Sequence, residues 1–217
     1  MLNNHALGPW IRRFLMEHII GERNLSKNTQ ASYRDTLALL LPFVAVKTKK
    51  KIDLLNVQDL SADGVRIFLH YLEQERKCGI TTRNVRLAAI HALARFVAEH
   101  SPEHLDWCRQ VRGVPFKKSC KTPATYLEKK EMDSLLTAPN RNSIQGERDY
   151  MLLLFLYNTG ARADEVARLT IGNLNLIDPP SVKLAGNGNK TRICPLWPLT
   201  AKLLAPVITG RSSEDQG

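Results

Sequence analysis

The sequence is poor in aromatic residues, in long apolar runs and in cysteine, and one stretch of its middle has no acidic residue at all. Aromatics make up 6% of the 217 residues. Apolar runs such as residues 37–41 and 152–156 fall far short of the roughly 20 residues that a membrane-spanning helix needs, so no membrane partner is expected. The first residues, Met1-Leu2-Asn3-Asn4-His5, lack a basic segment followed by an apolar one. No secretory signal is therefore read, and the chain is expected to be soluble and cytoplasmic. Cysteines stand at 78, 108, 120 and 194, without the paired spacing of a zinc knuckle, and are read as free thiols of a reducing compartment. His100 and His104 are four apart, which is ligand spacing on a helix. No third ligand accompanies them in the sequence, so they are read as surface histidines, and no metal or other cofactor is expected.

What the chain has in excess is positive charge. The net charge is +10 and the pI about 9.6, a balance that suits a polyanionic partner. The excess is uneven: residues 1–111 carry 16 Lys and Arg against 11 Asp and Glu, residues 112–126 carry 4 against 0, and residues 127–217 carry 11 against 10. Charge alone is equally compatible with a solvated basic surface.

Hydrophobic periodicity divides the chain. Residues 10–20 form an amphipathic stretch ended near Gly21, and after Ser26 the residues Tyr33, Leu37, Leu40 and Val44 recur on one helical face. Lys47 to Lys51 read as a basic loop. Ser61 opens a third helix with Val65, Phe68 and Leu72 on its stripe, stopped at Gly79. Thr81 or Thr82 caps a fourth, where Val85, Ala89, Leu93 and Val97 share a face. Four helices with no strand signal predict a helical bundle over 1–111. Pro115 and Pro123 punctuate 112–126, which reads as a basic link between domains. Beyond it, 127–138 and the apolar stretch 148–158 read as helices, broken at Gly160. Val182, Leu184 and Ile193 alternate around Gly186-Asn187-Gly188-Asn189, a hairpin signal. Residues 199–208 close with a short helix, and Thr209 to Gly217 read as a polar, frayed tail. The uncovered apolar face of this second half makes it the less stable expectation.

Two segments carry chemistry. In Tyr157-Asn158-Thr159-Gly160-Ala161-Arg162-Ala163-Asp164-Glu165 a helix stops at glycine and an arginine opens the next, three residues before a glutamate. A held, planar, permanently charged fork can grip a phosphodiester in two places. By itself the segment equally fits an ordinary Arg162–Glu165 pair at a helix start. The second segment is the hairpin, Gly186-Asn187-Gly188-Asn189-Lys190-Thr191-Arg192-Ile193-Cys194-Pro195-Leu196. It is no phosphate-binding P-loop, because its glycines are too close and neither a Lys-Ser/Thr pair nor a helix follows.

Together these segments, a helix–Gly–Arg–helix unit and a basic hairpin of the form G-x-G-N-K-x-R-x-x-P-L, resemble the start of the catalytic domain of the tyrosine recombinases (phage integrases). Leu25-Ser26-Lys27-Asn28-Thr29-Gln30-Ala31-Ser32-Tyr33 and Thr82-Arg83-Asn84-Val85-Arg86-Leu87 are similar to the beginning and the last helix of that family's core-binding domain, and Tyr126-Leu127 to its entry into the catalytic domain. The resemblance implies a mainly α chain: a four-helix, SAM-like core-binding domain over 1–111, a basic link over 112–126, and over 127–217 an incomplete α+β catalytic domain with a small β-hairpin.

It also implies double-stranded DNA as partner, with a second copy or a full-length recombinase possible beside it, and no small-molecule substrate. In the family a tyrosine attacks a DNA phosphodiester without metal or nucleotide cofactor, two arginines and a histidine stabilise the charge, and a hairpin lysine protonates the leaving oxygen. By position Arg162 matches the first arginine and Glu165 the acid that braces it. Asn187 stands where the lysine normally does, leaving Lys190 as the candidate. DNA contacts are expected from Lys27, Asn28 and Thr29, from Arg83 and Arg86, from Lys117, Lys118 and Lys121 of the link, and from Arg192.

No histidine follows His104 and no tyrosine follows Tyr157. The expectation is a chain cut off before its nucleophile, binding DNA without cleaving it. Tyr150 and Tyr157 are read as core residues. A helical DNA-binding regulator, an antagonist of a full-length recombinase, and a protein-interaction module of incidental charge are the competing readings.

Overall fold

A computed structural model describes residues 5–119, 125–186 and 190–214, with side chains to residue 209. The chain falls into two compact units, residues 1–122 and 123–217.

The first unit is helical. Helix α1 (Leu7–Arg13) continues without a break into a more widely wound stretch, Phe14–Glu22, which ends one residue past Gly21. Helix α2 (Lys27–Thr48) is capped by Ser26, whose hydroxyl accepts the Thr29 N–H, and takes in the first two residues of the expected basic loop before Lys49 turns it off in the left-handed region (φ 54°). Helix α3 (Ala62–Gln74) starts at Ser61 and stops before Gly79; Gly79 instead precedes α4 (Ile80–His100). Thr81 and Thr82 therefore sit inside the first turn of α4 and do not cap it.

A fifth helix, α5 (Leu105–Arg112), was not expected. It buries Trp107, Cys108 and Val111, and the indole of Trp107 donates to the carbonyl of Leu60 at 2.8 Å. Phe14, Leu40, Phe68, Leu72, Leu87, Ile90 and Phe96 fill the core these helices share. Val85 does not join them: it is 45% exposed, and Arg83 and Leu87 take the inner face instead. The expected link begins as part of this unit, since Arg112 closes α5 and Val114 is 1% exposed.

The second unit has helix α6 (Lys129–Thr137), helix α7 (Ile144–Thr159) and a short helix α8 (Ala163–Ala167). A three-stranded antiparallel sheet follows, in the order β1 (Leu174–Asn175), β2 (Ser181–Ala185), β3 (Thr191–Pro195). Helix α9 (Pro198–Glu214) closes it and reaches Glu214, inside the stretch expected to be frayed. The core is small: Phe155, Val182, Leu184, Leu196 and Leu204. Beside it Met151, Leu152 and Leu156 of α7, Val166 of α8, and Leu203 and Val207 of α9 line an open apolar groove. Tyr157 is not in the core; it is 42% exposed and meets the edge of Trp197. Ile193, expected inside, is 74% exposed on the outer face of the sheet. No helix among the described residues is long and apolar enough to cross a membrane.

Candidate DNA-phosphate site

The turn between α7 and α8 builds the site. Gly160 ends α7 in the left-handed region (φ 59°), a conformation that costs glycine little, and donates back to the Leu156 carbonyl at 2.9 Å. The hydroxyl of Thr159 is used twice, donating to Phe155 and accepting from Ala161 N–H. The chain leaves this turn extended at Arg162, the residue before α8. There the backbone N–H of Arg162 donates to Oε2 of Glu165 at 2.8 Å, and its Nη1 reaches Oε1 at 3.3 Å.

Glu165 is buried, but Arg162 keeps a side chain 72% exposed. The carboxylate's main partner is Arg192, which the sequence alone would put on DNA. Arg192 of β3 donates from Nη1 to Oε1 at 2.9 Å and from Nη2 to Oε2 at 2.7 Å, a fork on a fork. Its Nη2 also touches the Gly160 carbonyl at 3.5 Å. These donors, Arg192 foremost, hold the Glu165 carboxyl down at about 2, and the carboxylate in turn raises the Arg192 guanidinium.

Sheet register brings Arg192 here. It pairs with Leu184, and Leu184 is 0% exposed, so both point inward. Asn158 ties the end of α7 to the same strand, donating to Pro195 and accepting from Trp197 N–H at 2.8 Å. Gly186 closes the base of the hairpin through Lys190 at 2.8 Å, and Lys190 itself is exposed. Asn187 lies outside the described residues.

The expected contacts of the first unit divide. Lys27 and Asn28 are exposed at the start of α2, and Thr29 is half-buried there, with its hydroxyl 3.0 Å from that of Ser26. Arg83 is 6% exposed and donates to the Pro115 carbonyl at 2.9 Å, so its guanidinium is spent inside the protein. Arg86 is half-buried and donates to Ser32 O and Thr36 Oγ1, joining α4 to α2. Both side chains, expected on DNA, instead find partners within the bundle and tie it together. Lys117 pairs with Glu73 at 2.6 Å, and Lys118 is exposed. Lys121 lies outside the described residues.

The histidine pair also changes. The His100 ring nitrogen lies 2.8 Å from the Phe96 carbonyl, and His104, read as a surface residue, is 1% exposed. His5, Glu103 and His104 bring donor atoms within 4.8 Å of one another, a juxtaposition that sequence spacing does not reveal. Cys78, Cys108 and Cys194 are free thiols.

Comparison with known proteins places this geometry. Residues 11–100 match the phage integrase N-terminal SAM-like domain, and residues 125–217 match the phage integrase family. The chain is 34% identical over 209 residues to the putative integrase/recombinase y4rD of Sinorhizobium fredii, covering 96% of this chain and 74% of that protein. The chain belongs to the tyrosine recombinase (phage integrase) family.

A second Sinorhizobium fredii relative, the putative integrase/recombinase y4rC, is 31% identical, and this recombinase-family chain spans 65% of its length. It spans 55% of a Roseiflexus tyrosine recombinase XerC at 28% identity. Among solved structures, the XerH site-specific recombinase bound to its palindromic difH substrate gives a TM-score of 0.65 at 16% identity, over 88% of this chain and 55% of that one. The Tn1549 transposon integrase with a circular intermediate DNA gives 0.62 at 13%, over 94% and 65%. They share the recombinase fold: a SAM-like helical domain ahead of a mostly helical one with a small antiparallel sheet.

Sequence reasoning found Arg162 and Glu165 because their partnership is local. It missed Arg192's attachment to them, although strand alternation carried a signal: the residue opposite a buried leucine faces inward.

Proposed function

We propose that these 217 residues bind double-stranded DNA as a tyrosine recombinase does, and hold a phosphodiester at Arg162 without cleaving it. The observation that carries this reading is Arg162 itself. Its guanidinium stands open to solvent at a helix start, while the glutamate that would otherwise absorb its charge is occupied by Arg192. Such a fork can donate two parallel hydrogen bonds to a phosphate. Lys27 and Asn28 at the start of α2 and the exposed Lys118 would meet the backbone elsewhere on the duplex. We read 112–126 as the stretch that follows the DNA between the two units.

Cleavage and religation by this route need a nucleophile, charge stabilisation and a general acid acting together. Of these, the described residues offer charge stabilisation at Arg162. Lys190 is the one lysine in the sequence between Gly186 and Arg192, and Asn187 cannot donate a proton at a useful rate. Neither tyrosine of α7 is built for attack. Tyr150 lies under the Arg141 guanidinium, 4.2 Å from its ring centre, and Tyr157 packs on Trp197. For this chain the reading is accordingly DNA binding with a phosphate contact at Arg162.

The test is binding of the purified chain to duplexes selected from a random-sequence pool, followed by anisotropy. Affinity that falls steeply with salt, and a loss of roughly 10- to 100-fold in Arg162→Ala, is the expected result, since charged hydrogen bonds contribute about 1.5–3 kcal/mol. Nicked versions of the selected duplexes should trap no adduct that survives denaturant. A covalent adduct, or salt-independent binding, would overturn the reading.

A further inference from the structure

Glu165 has about four lone-pair directions to offer, and four donors take them. Two come from Arg192 at 2.7 and 2.9 Å, one from the Arg162 backbone at 2.8 Å, and only one, at 3.3 Å, from the Arg162 side chain. The two guanidinia therefore share the carboxylate unequally. Arg192 takes the fork-on-fork position and is 38% exposed, whereas Arg162 makes one long contact and is 72% exposed. Two positive charges and one negative leave the cluster one positive charge, and that surplus resides on the member facing solvent.

From this we infer that Arg192 is a positioning residue: it occupies Glu165 so that the Arg162 guanidinium stays free for a DNA phosphate. Remove Arg192, and the nearest cation left for a buried carboxylate is Arg162, three residues away on the same turn. The Arg162 fork would swing onto Glu165, the cluster's charge would fall to zero, and the phosphate would lose its partner. Arg192 also touches the carbonyl of Gly160, so the same side chain steadies the turn from which Arg162 projects. The strand register that sends Arg192 inward beside buried Leu184 favours this role over one of reaching outward to DNA. This inference rests on Arg162 being the phosphate ligand, and the experiment separates the two.

The measurement is anisotropy of the full chain on one duplex selected from a random pool, at fixed salt. Six proteins are compared: wild type, R162A, R192A, R162A/R192A, E165Q and E165Q/R192A. R192A should lose roughly as much affinity as R162A, about 10- to 100-fold. The R162A/R192A double variant should bind no worse than R162A, because both remove one contact. With Glu165 neutralised there is nothing left to capture Arg162, so E165Q/R192A should bind within about 3-fold of E165Q, a rescue that a purely structural role would not produce. Equal losses from R192A in the wild-type and E165Q backgrounds, or additive losses in R162A/R192A, would place Arg192 on the DNA itself and sink the inference alone. Undiminished binding in R162A would instead sink the reading of Arg162. Should R192A fail to fold, R192K with E165Q/R192K answers the same question: lysine keeps the charge but loses the fork. R192K must then bind more weakly than wild type and be rescued by E165Q; wild-type affinity in R192K overturns the inference.

Discussion

Gly186 lies so close to Glu165 that a Cβ added to it would stand 3.0 Å from Oε1 of the carboxylate. A neighbour on a flexible exposed side chain would step aside. Glu165 cannot, because its side chain is 2% exposed and four donors fix both oxygens. The Gly186 N–H is itself committed to Lys190, which prevents the hairpin from backing away freely. Gly186→Ala should thus act as an overpacking change of about 1–3 kcal/mol and disturb the Arg162 site with it. Calorimetry should show the second unit melting several degrees lower, and duplex affinity should fall several-fold in the same preparation. A variant with unchanged melting and unchanged binding would show that the clearance is wider than the backbone positions imply.

Acid should loosen this unit through the same carboxylate. Glu165 is held at about 2 against an ordinary 4.5, chiefly by the Arg192 hydrogen bonds and then by the Arg162 N–H. A carboxylate whose folded value is depressed contributes stability that is fully present above about pH 4.5 and is lost as pH falls toward 2. The glutamine variant, E165Q, lacks that titration. Melting temperature plotted against pH should therefore fall more steeply for wild type than for E165Q between about pH 4.5 and 2. Parallel curves would show that Glu165 is not charged in the way its partners require. In the first unit, burial lowers His91 below its ordinary 6.5, so a separate, milder loss should begin as pH drops through that range.

Trp107 should matter to the first unit for one hydrogen bond as much as for its volume. Its indole N–H reaches Leu60 O at 2.8 Å in a buried setting, linking α5 to the turn ahead of α3. Trp107→Phe keeps most of the apolar surface but leaves that carbonyl unpaired, a cost of about 1–3 kcal/mol. Urea unfolding should show the midpoint shifted down with little change of slope, while duplex affinity per folded molecule stays as in wild type. A neutral substitution would mean that water reaches the Leu60 carbonyl.

What could be read from the sequence was local. Ser26 and Ser61 announced helix starts by side-chain chemistry, and Arg162 and Glu165 are three residues apart, so their pairing needs no knowledge of the fold. What could not be read depended on distant chain. Arg192 meets Glu165 only because β3 pairs with β2 in one register, and a shift by a single residue would have turned Ile193 inward in its place. Arg83 looked like a DNA contact at a helix start until the segment after α5 folded over it and supplied the Pro115 carbonyl. Helix α5 escaped notice because its apolar positions, Trp107, Cys108 and Val111, span barely two turns among charged residues. Val85 was placed on the wrong face of α4 because that helix is apolar on most sides, which leaves periodicity little to choose between.

Lys117 and Lys118 adjoin in sequence, yet they should differ in what they do for DNA. Lys117 is fixed at three atoms. Its ammonium lies 2.6 Å from Glu73 Oε2, its N–H donates to Asn84 Oδ1, and its carbonyl accepts from Asn84 Nδ2. The charge is matched by a carboxylate whose side chain is only 12% exposed, so a phosphate would have to compete for it. Lys118 is exposed and, among the described residues, has no carboxylate partner. Each lysine that neutralises a phosphate steepens the salt dependence of binding by about one unit. Lys118→Ala should therefore flatten the slope of log affinity against log salt by about one and leave the melting temperature of the first unit unchanged. Lys117→Ala should lower that melting temperature by uncovering Glu73, and flatten the slope by clearly less than one. Equal slopes from the two variants would mean that Lys117 leaves Glu73 when DNA arrives, and identical melting would mean that the Glu73 pair holds nothing in place.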